Sequence, residues 1–173
     1  WVANQYSYNN GTSMAAPGVS GGLALLVQRY RQLNGNANPP NALMKALICN
    51  GGTDHGKTGP DFNYGFGSLN LLRSLDMMEN NHYLNSTVAQ GATNPHSVTV
   101  PANTSQLKVL LYWQDPPAAV MATKALVNDL DLSVVGPGGT VLPQVLDTLR
   151  TNLDVQATTG IDNKNNIEQV IIN

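Results

Sequence analysis

"NNGTSMAAPGVSGG", residues 9–22, sets a serine between a glycine-led turn and a run of small residues that becomes Leu23, Ala24, Leu25, Leu26 and Val27. The hydroxyl of Ser13 has two readings at that place. Serine and threonine are preferred helix caps, because a side-chain oxygen satisfies one of the backbone N–H groups that a first turn leaves unpaired. The same N–H groups, with the positive end of the macrodipole, also suit a nucleophile, since they stabilise charge developing on an attacked carbonyl. Position alone favours the cap.

Outward from the serine, Val19, Leu23, Leu26, Val27 and Tyr30 fall at helical spacing, and Arg29 and Arg31 come only at the far end. This spacing predicts one helix from Thr12 to about Leu33, capped by Thr12 or Ser13, with Pro17 tolerated in the first turn and "NGNANPP" as the stop. Ala15, Ala16, Gly18, Gly21 and Gly22 weaken it, at about 1 kcal/mol for each interior glycine, so close packing against other backbone is expected as compensation. A second helix is expected from about Asn41 to Ile48, with Leu43, Leu47 and Ile48 inward and a glycine stop at 51–52. A third starts at Ser68 or Leu69 after the glycine turn of "NYGFG".

Beyond about Asn80 the period changes from 3.6 to 2, a change of architecture and hence of domain. "SVTVPA", "SQLKVLLYWQD", "NDLDLSVVGPGGTVLP" and "IEQVIIN" are strand candidates separated by Pro, Gly and Asn turns, the last reaching Asn173. Leu107, Val109, Leu111 and Trp113 share one face; Leu130, Leu132 and Val134 share another. The expected fold is therefore α + β in two parts: helices over 1–78, and over 79–173 an antiparallel β-sandwich of jelly-roll type, truncated at its C-terminus.

Composition bounds the partners. A chain of 173 residues holds one sizeable core or two small ones. A net charge of -2 with 12% charged residues supplies no basic field for nucleic acid and no polybasic patch for a membrane surface, so neither is expected as a partner. No apolar run approaches the roughly 20 residues that span a bilayer. "WVANQYSY" is no signal peptide and there is no initiator methionine, so the chain reads as the inside of a longer protein. Cys49, the single cysteine, sits in a helical apolar pattern as a small buried thiol.

Gly11, Thr12, Ser13, Met14, Ala15 and Pro17 coincide with the nucleophile motif of the subtilisin-like serine proteases, Gly-Thr-Ser-Met-Ala-x-Pro, at all six specified positions. "GVSGGLALL", "NALMKALICNGG" and "NYGFGSLNLLRSL" are similar to the small-residue helix, the next helix and the closing segment of that family, over residues 1 to about 75. The resemblance implies a subtilisin-like α/β catalytic domain, of which 1–78 is the C-terminal portion. It implies Ser13 as nucleophile, a histidine as its base, an aspartate to orient the histidine, and protein or peptide substrates. It also implies secretion. Subtilisin-like enzymes order the triad Asp, His, Ser, and residues 1–12 contain neither His nor Asp. Both partners, and the oxyanion-hole asparagine, are therefore expected in an upstream part of the same catalytic domain; Asn4, Asn9 and Asn10 lie too near the serine for that last role. The segment alone is expected to be inactive. An α/β-hydrolase arrangement using His55 with Asp54 or Asp61 fits poorly, because Gly-Thr-Ser-Met-Ala lacks the second glycine of that elbow. His82 and His96 read as solvated.

Residues i and i+2 of a strand point to one side about 6.6 Å apart, so Asp129 and Asp131 present two carboxylates on one face. Asn166 and Glu168 repeat the spacing, and Asn128, Asp162 and Asn165 lie close in sequence. Either this is an ordinary solvated polar face or a hard cation offsets the repulsion. "LVNDLDL", the Pro-Gly hairpin and "NNIEQVIIN" resemble the C-terminal β-barrel of bacterial alkaline subtilisin-like proteases, which implies structural Ca²⁺ with Asp129, Asp131, Asn166 and Glu168 as metal ligands. "LKVLLYWQDPPAA" resembles the Trp-containing strand of that module. Two functions stay open: part of a serine endopeptidase, or a calcium-stabilised β-sandwich structural or binding module with an idle protease motif.

Overall fold

The structure, a computed structural model, describes residues 8–173. Trp1 and Asn4, and with them most of the "WVANQYSY" reading, lie outside the described residues. The chain forms two units, Trp1–Pro39 and Pro40–Asn173.

The first unit contributes α1 (Thr12–Leu33). Its length follows from the apolar spacing, and Leu26 and Gly22 are its buried residues. Pro17 is the sixth residue of the helix, one turn deeper than the sequence reading placed it. It lacks the N–H that would have bonded the Ser13 carbonyl, but the helix runs on to Leu33, where the Asn34 N–H closes it on Tyr30 and Arg31. A Cβ at Gly18 or Gly21 would meet nothing within 4 Å, so among the described residues the expected close packing is absent at these two glycines.

The second unit begins with α2 (Asn41–Gly51) and α3 (Leu71–Glu79). Of the residues expected inward on α2, Leu47 is buried while Leu43 and Ile48 are half-buried, and Met44 is buried in addition. Asn70 caps α3, its side chain accepting from the Arg73 N–H at 3.1 Å. The helices meet where Ser74, 0% exposed, donates its hydroxyl to the Leu47 carbonyl at 3.0 Å. Gly51 is required there, because a Cβ would come within 2.5 Å of the Ser74 Oγ.

β1 (Leu107–Tyr112) pairs antiparallel with β6 (Ile167–Ile172), in register Val109 with Val170 and Leu111 with Glu168. Opposed residues share a face, so Lys108, Leu110, Tyr112 and Gln169 lie on one side and Val109, Leu111, Glu168 and Val170 on the other. The first side meets α2: the Lys108 ammonium donates to the Gly52 carbonyl at 3.1 Å, the Gln169 amide to Asn50 at 3.0 Å, and Lys45 lies over the Tyr112 ring. β2 (Val134–Gly136) and β3 (Gly139–Val141) form the hairpin expected of the Pro-Gly turn, and β4 (Gln144–Val145) pairs with β5 (Thr158–Thr159).

The fold is thus mixed α and β with antiparallel strands, as expected, but the described residues show three two-stranded sheets and no closed barrel. One strand candidate, residues 97–102, carries no strand, and another, residues 128–143, carries strand only in its hairpin, β2 and β3, and not over 128–133. Residues 97–102 are exposed, and Pro101, without an N–H, opens a turn in which Thr104 donates back to its carbonyl and Asn103 takes φ 66°. Over residues 127–132 three backbone donors go to side chains instead of a neighbouring strand. Val127 and Asn128 donate to Asp115 at 2.6 and 2.9 Å, and Leu132 donates to Glu168 at 2.6 Å.

Candidate functional site

Gly11 starts α1 from φ 131° and ψ 170°, a conformation that glycine reaches without steric cost. Its carbonyl accepts from Met14 at 3.0 Å and from Ala15 at 3.1 Å. Thr12 and Ser13 are therefore the first two helical residues and not the cap, and no side-chain cap bond closes this end. The Ser13 side chain is exposed and makes no hydrogen bond among the described residues. The backbone N–H groups of Thr12 and Ser13 likewise have no partner there, so an unsatisfied hydroxyl and two unsatisfied donors stand together at the positive end of a 22-residue helix. Met14, 48% exposed, and Ala15 continue the exposed turn.

The histidines all belong to the second unit, and each is exposed. His55 lies in the loop between α2 and α3, its ring 5.9 Å from that of Tyr64. Asp61 organises this loop. Buried at 4% exposure, it accepts from the backbone N–H groups of Tyr64 at 2.6 Å, Asn63 at 2.8 Å and Lys57 at 3.2 Å, which hold its carboxyl below the usual carboxylate range. Asp54 accepts from Gly59 at 2.8 Å. Both aspartates are thus engaged with backbone donors of their own loop. The Cys49 thiol is pushed up by burial, as a packed thiol should be.

The four expected metal ligands fare differently. Asp129 is exposed and paired with Lys124 at 2.9 Å. The Asn166 amide donates to the Trp113 carbonyl at 2.8 Å. Glu168 is 2% exposed, with Oε2 on the Leu132 N–H and Oε1 buried without a partner. Burial pushes its carboxyl up to about 7; the Leu132 bond opposes this, and the charges of Asp131, Asp162 and Asp129 add to it. Asp131 and Glu168 line one cavity of about 210 Å³ with Leu132, Ser133, Leu142 and Pro143. Among the described residues, no three His, Cys, Asp or Glu side chains gather as a metal site.

The side-chain roles of Asp61 and Asp115 escaped the sequence reading. Their signal was present: an aspartate shortly before Asn63-Tyr64-Gly65, and one directly before Pro116-Pro117, both turn contexts in which a short carboxylate takes up backbone donors. No helix among the described residues is long and apolar enough to cross a membrane.

Residues 1–67 match the model of the subtilase family, a stretch that contains Ser13 and α2 and ends in the glycine turn before α3. Over 144 residues the chain is 26% identical to the Serine protease/ABC transporter B family protein tagA of Dictyostelium discoideum. That similarity covers 72% of this chain, whereas the chain spans only 8% of the relative.

Proposed function

We propose that this chain is the nucleophile-bearing part of a secreted subtilisin-like serine endopeptidase that cleaves protein or peptide substrates. The observation that carries the reading is the exposed Ser13 hydroxyl in the first turn of α1, without a hydrogen bond among the described residues and within the segment similar to the subtilase family. The Dictyostelium discoideum relative, named as a serine protease, supports the same class.

In this reading Ser13 Oγ attacks the scissile carbonyl carbon while a histidine takes its proton. The carbonyl oxygen becomes an oxyanion facing the unpaired N–H groups of the helix mouth. The tetrahedral intermediate collapses to an acyl-enzyme as the histidine passes its proton to the leaving amine. Water, deprotonated by the same histidine, then releases the acid and restores the serine. The histidine, its aspartate and the remaining oxyanion donor come from residues upstream of this chain, which on its own is inactive. Gly11 sets the helix entry, Thr12 and Met14 flank the nucleophile, Ala15 keeps the turn small, and Pro17 removes the donor to the Ser13 carbonyl.

In the full-length protein Ser13→Ala abolishes peptide hydrolysis and labelling by a fluorophosphonate while leaving the fold intact. Undiminished hydrolysis by that variant would end the enzyme reading. The second reading, a calcium-stabilised β-rich module beside an idle protease motif, is favoured by one observation, the buried and unpartnered Glu168 Oε1.

A further inference from the structure

Between β1 and β2 the chain leaves the fold at Pro116 and returns at Leu126, which is buried at 8% exposure. Residues 119–125 are all exposed, and Val120 and Met121 present 95% and 96% of their surfaces to solvent. No charged side chain lies between Asp115 and Lys124.

Little holds the tip of this loop. Among the described residues its backbone makes one hydrogen bond, from the Ala122 N–H to the Ala119 carbonyl at 3.0 Å, and Met121 takes φ 65° inside that turn. A left-handed φ strains a methionine, and the strain is released when the segment is drawn straight. The base, by contrast, is clamped. Asp115 accepts from the N–H groups of Val127 at 2.6 Å and Asn128 at 2.9 Å, and from the Asn128 amide at 2.9 Å. The Trp113 indole donates to the Asn128 carbonyl at 3.0 Å. A loosely held tip of small residues on a fixed base is where proteases nick folded proteins, since only the tip has to open to enter a cleft. Residues 84–100 are exposed as well, but there the Asn94 amide ties back to Ser86 and Thr87 at 2.6 and 2.9 Å.

We infer that loop 116–126 is a self-processing site: the Ser13 hydroxyl of one molecule cleaves the Met121–Ala122 bond of another, with Val120 and Met121 as the apolar residues recognised. The inference rests on the endopeptidase reading and names a protein substrate for it. Ser13 Oγ forms an ester with the Met121 carbonyl carbon, the C–N bond to Ala122 breaks, and the histidine passes the serine proton to the Ala122 nitrogen. Water then hydrolyses the ester, leaving a Met121 carboxylate, a free Ala122 amine and the original hydroxyl. The two pieces stay together, because the contacts around the loop cross the cut. The β1–β6 ladder joins residues 107–112 to 167–172, Asp115 keeps Val127 and Asn128, and Gln169 donates to Asn50. Scission therefore creates a new pair of chain ends inside a folded unit and releases no domain.

Full-length protein carrying Ser13→Ala serves as substrate for a trace of the unsubstituted enzyme, with denatured casein digested in parallel. Denaturing electrophoresis and intact mass should show two fragments, one ending at Met121 and one beginning at Ala122, while native gel filtration still elutes a single species. In the Ser13→Ala background, Val120→Asp/Met121→Asp should slow this cut about tenfold or more. It should leave the melting temperature unchanged, because both side chains are exposed. An enzyme that digests casein yet leaves the loop whole, or whose new ends all lie outside residues 119–123, would overturn the site and spare the endopeptidase reading. Failure to digest either would overturn both. A cut that appears in Ser13→Ala protein incubated alone, or that persists at full rate in the doubly charged variant, would also overturn the site.

Discussion

Leu132 donates its backbone N–H to Glu168 Oε2 at 2.6 Å, and that bond ties the irregular stretch before β2 to the start of β6. The carboxylate is held by one of its oxygens only. Much of what distinguishes the β-rich unit follows from this arrangement.

Without divalent cation the unit should lose stability as pH rises. The folded Glu168 carboxyl sits at about 7 against 4.5 for the free side chain, so the folded state holds a proton that the unfolded chain releases. A raised folded value means stability is fully present below about pH 4.5 and is lost through the window to about pH 7, by on the order of 3 kcal/mol at most. Urea melts of chelated protein between pH 4.5 and 8 check this; Glu168→Gln, which cannot titrate, should flatten the profile.

Asp61 should act in the opposite direction. Backbone N–H groups of Tyr64, Lys57 and Asn63 hold its carboxyl low, so its contribution is present above the unfolded value of 3.8 and vanishes as pH falls through the folded one. Asp61→Ala should therefore loosen the loop over residues 54–67 at neutral pH, with faster amide exchange at Asn63 and Tyr64, and should lose its effect in strong acid.

The contact between α2 and α3 should tolerate neither more nor less volume. Ser74→Ala leaves the Leu47 carbonyl without its hydroxyl donor and should cost about 1–3 kcal/mol. Gly51→Ala places a methyl against Ser74 Oγ and Met77 and should cost a similar amount. In the double variant Gly51→Ala/Ser74→Ala the penalties should be less than additive, because the same atoms clash. Chemical denaturation of the four proteins measures the coupling.

Val170, 0% exposed and opposite Val109, anchors the β1–β6 ladder. Val170→Ala should destabilise the unit by about 1.5–3 kcal/mol, whereas Val135→Ala, at 77% exposure in β2, should change little. Thermal melts of the two variants side by side separate burial from strand propensity.

Helix existence was legible in the sequence because it depends on local spacing. The run from Val19 to Tyr30 repeats at 3.6 residues, and the turn at 34–38 leaves no way to continue. The six-residue serine motif was legible for the same local reason. Strands were less so: residues 107–112 and 167–172 pair as their patterns predict, but 97–102 and 128–133 have equally good alternation and no partner strand.

What the sequence by itself determined is the set of local elements: α1 with its serine at the mouth, the alternation of β1 and β6, and the Pro-Gly hairpin, all consequences of neighbouring residues within a few positions. Only the tertiary structure decided which oxygens are spent and which are free. That Gly11 and not Ser13 starts α1, that Lys124 neutralises Asp129, that Asn166 turns its donor to Trp113, and that Glu168 keeps one buried oxygen unmatched depend on backbone direction and on partners up to 53 residues away. No period in the chain encodes such pairings, because a side-chain polar group answers to whatever donor the fold brings within about 3 Å of it.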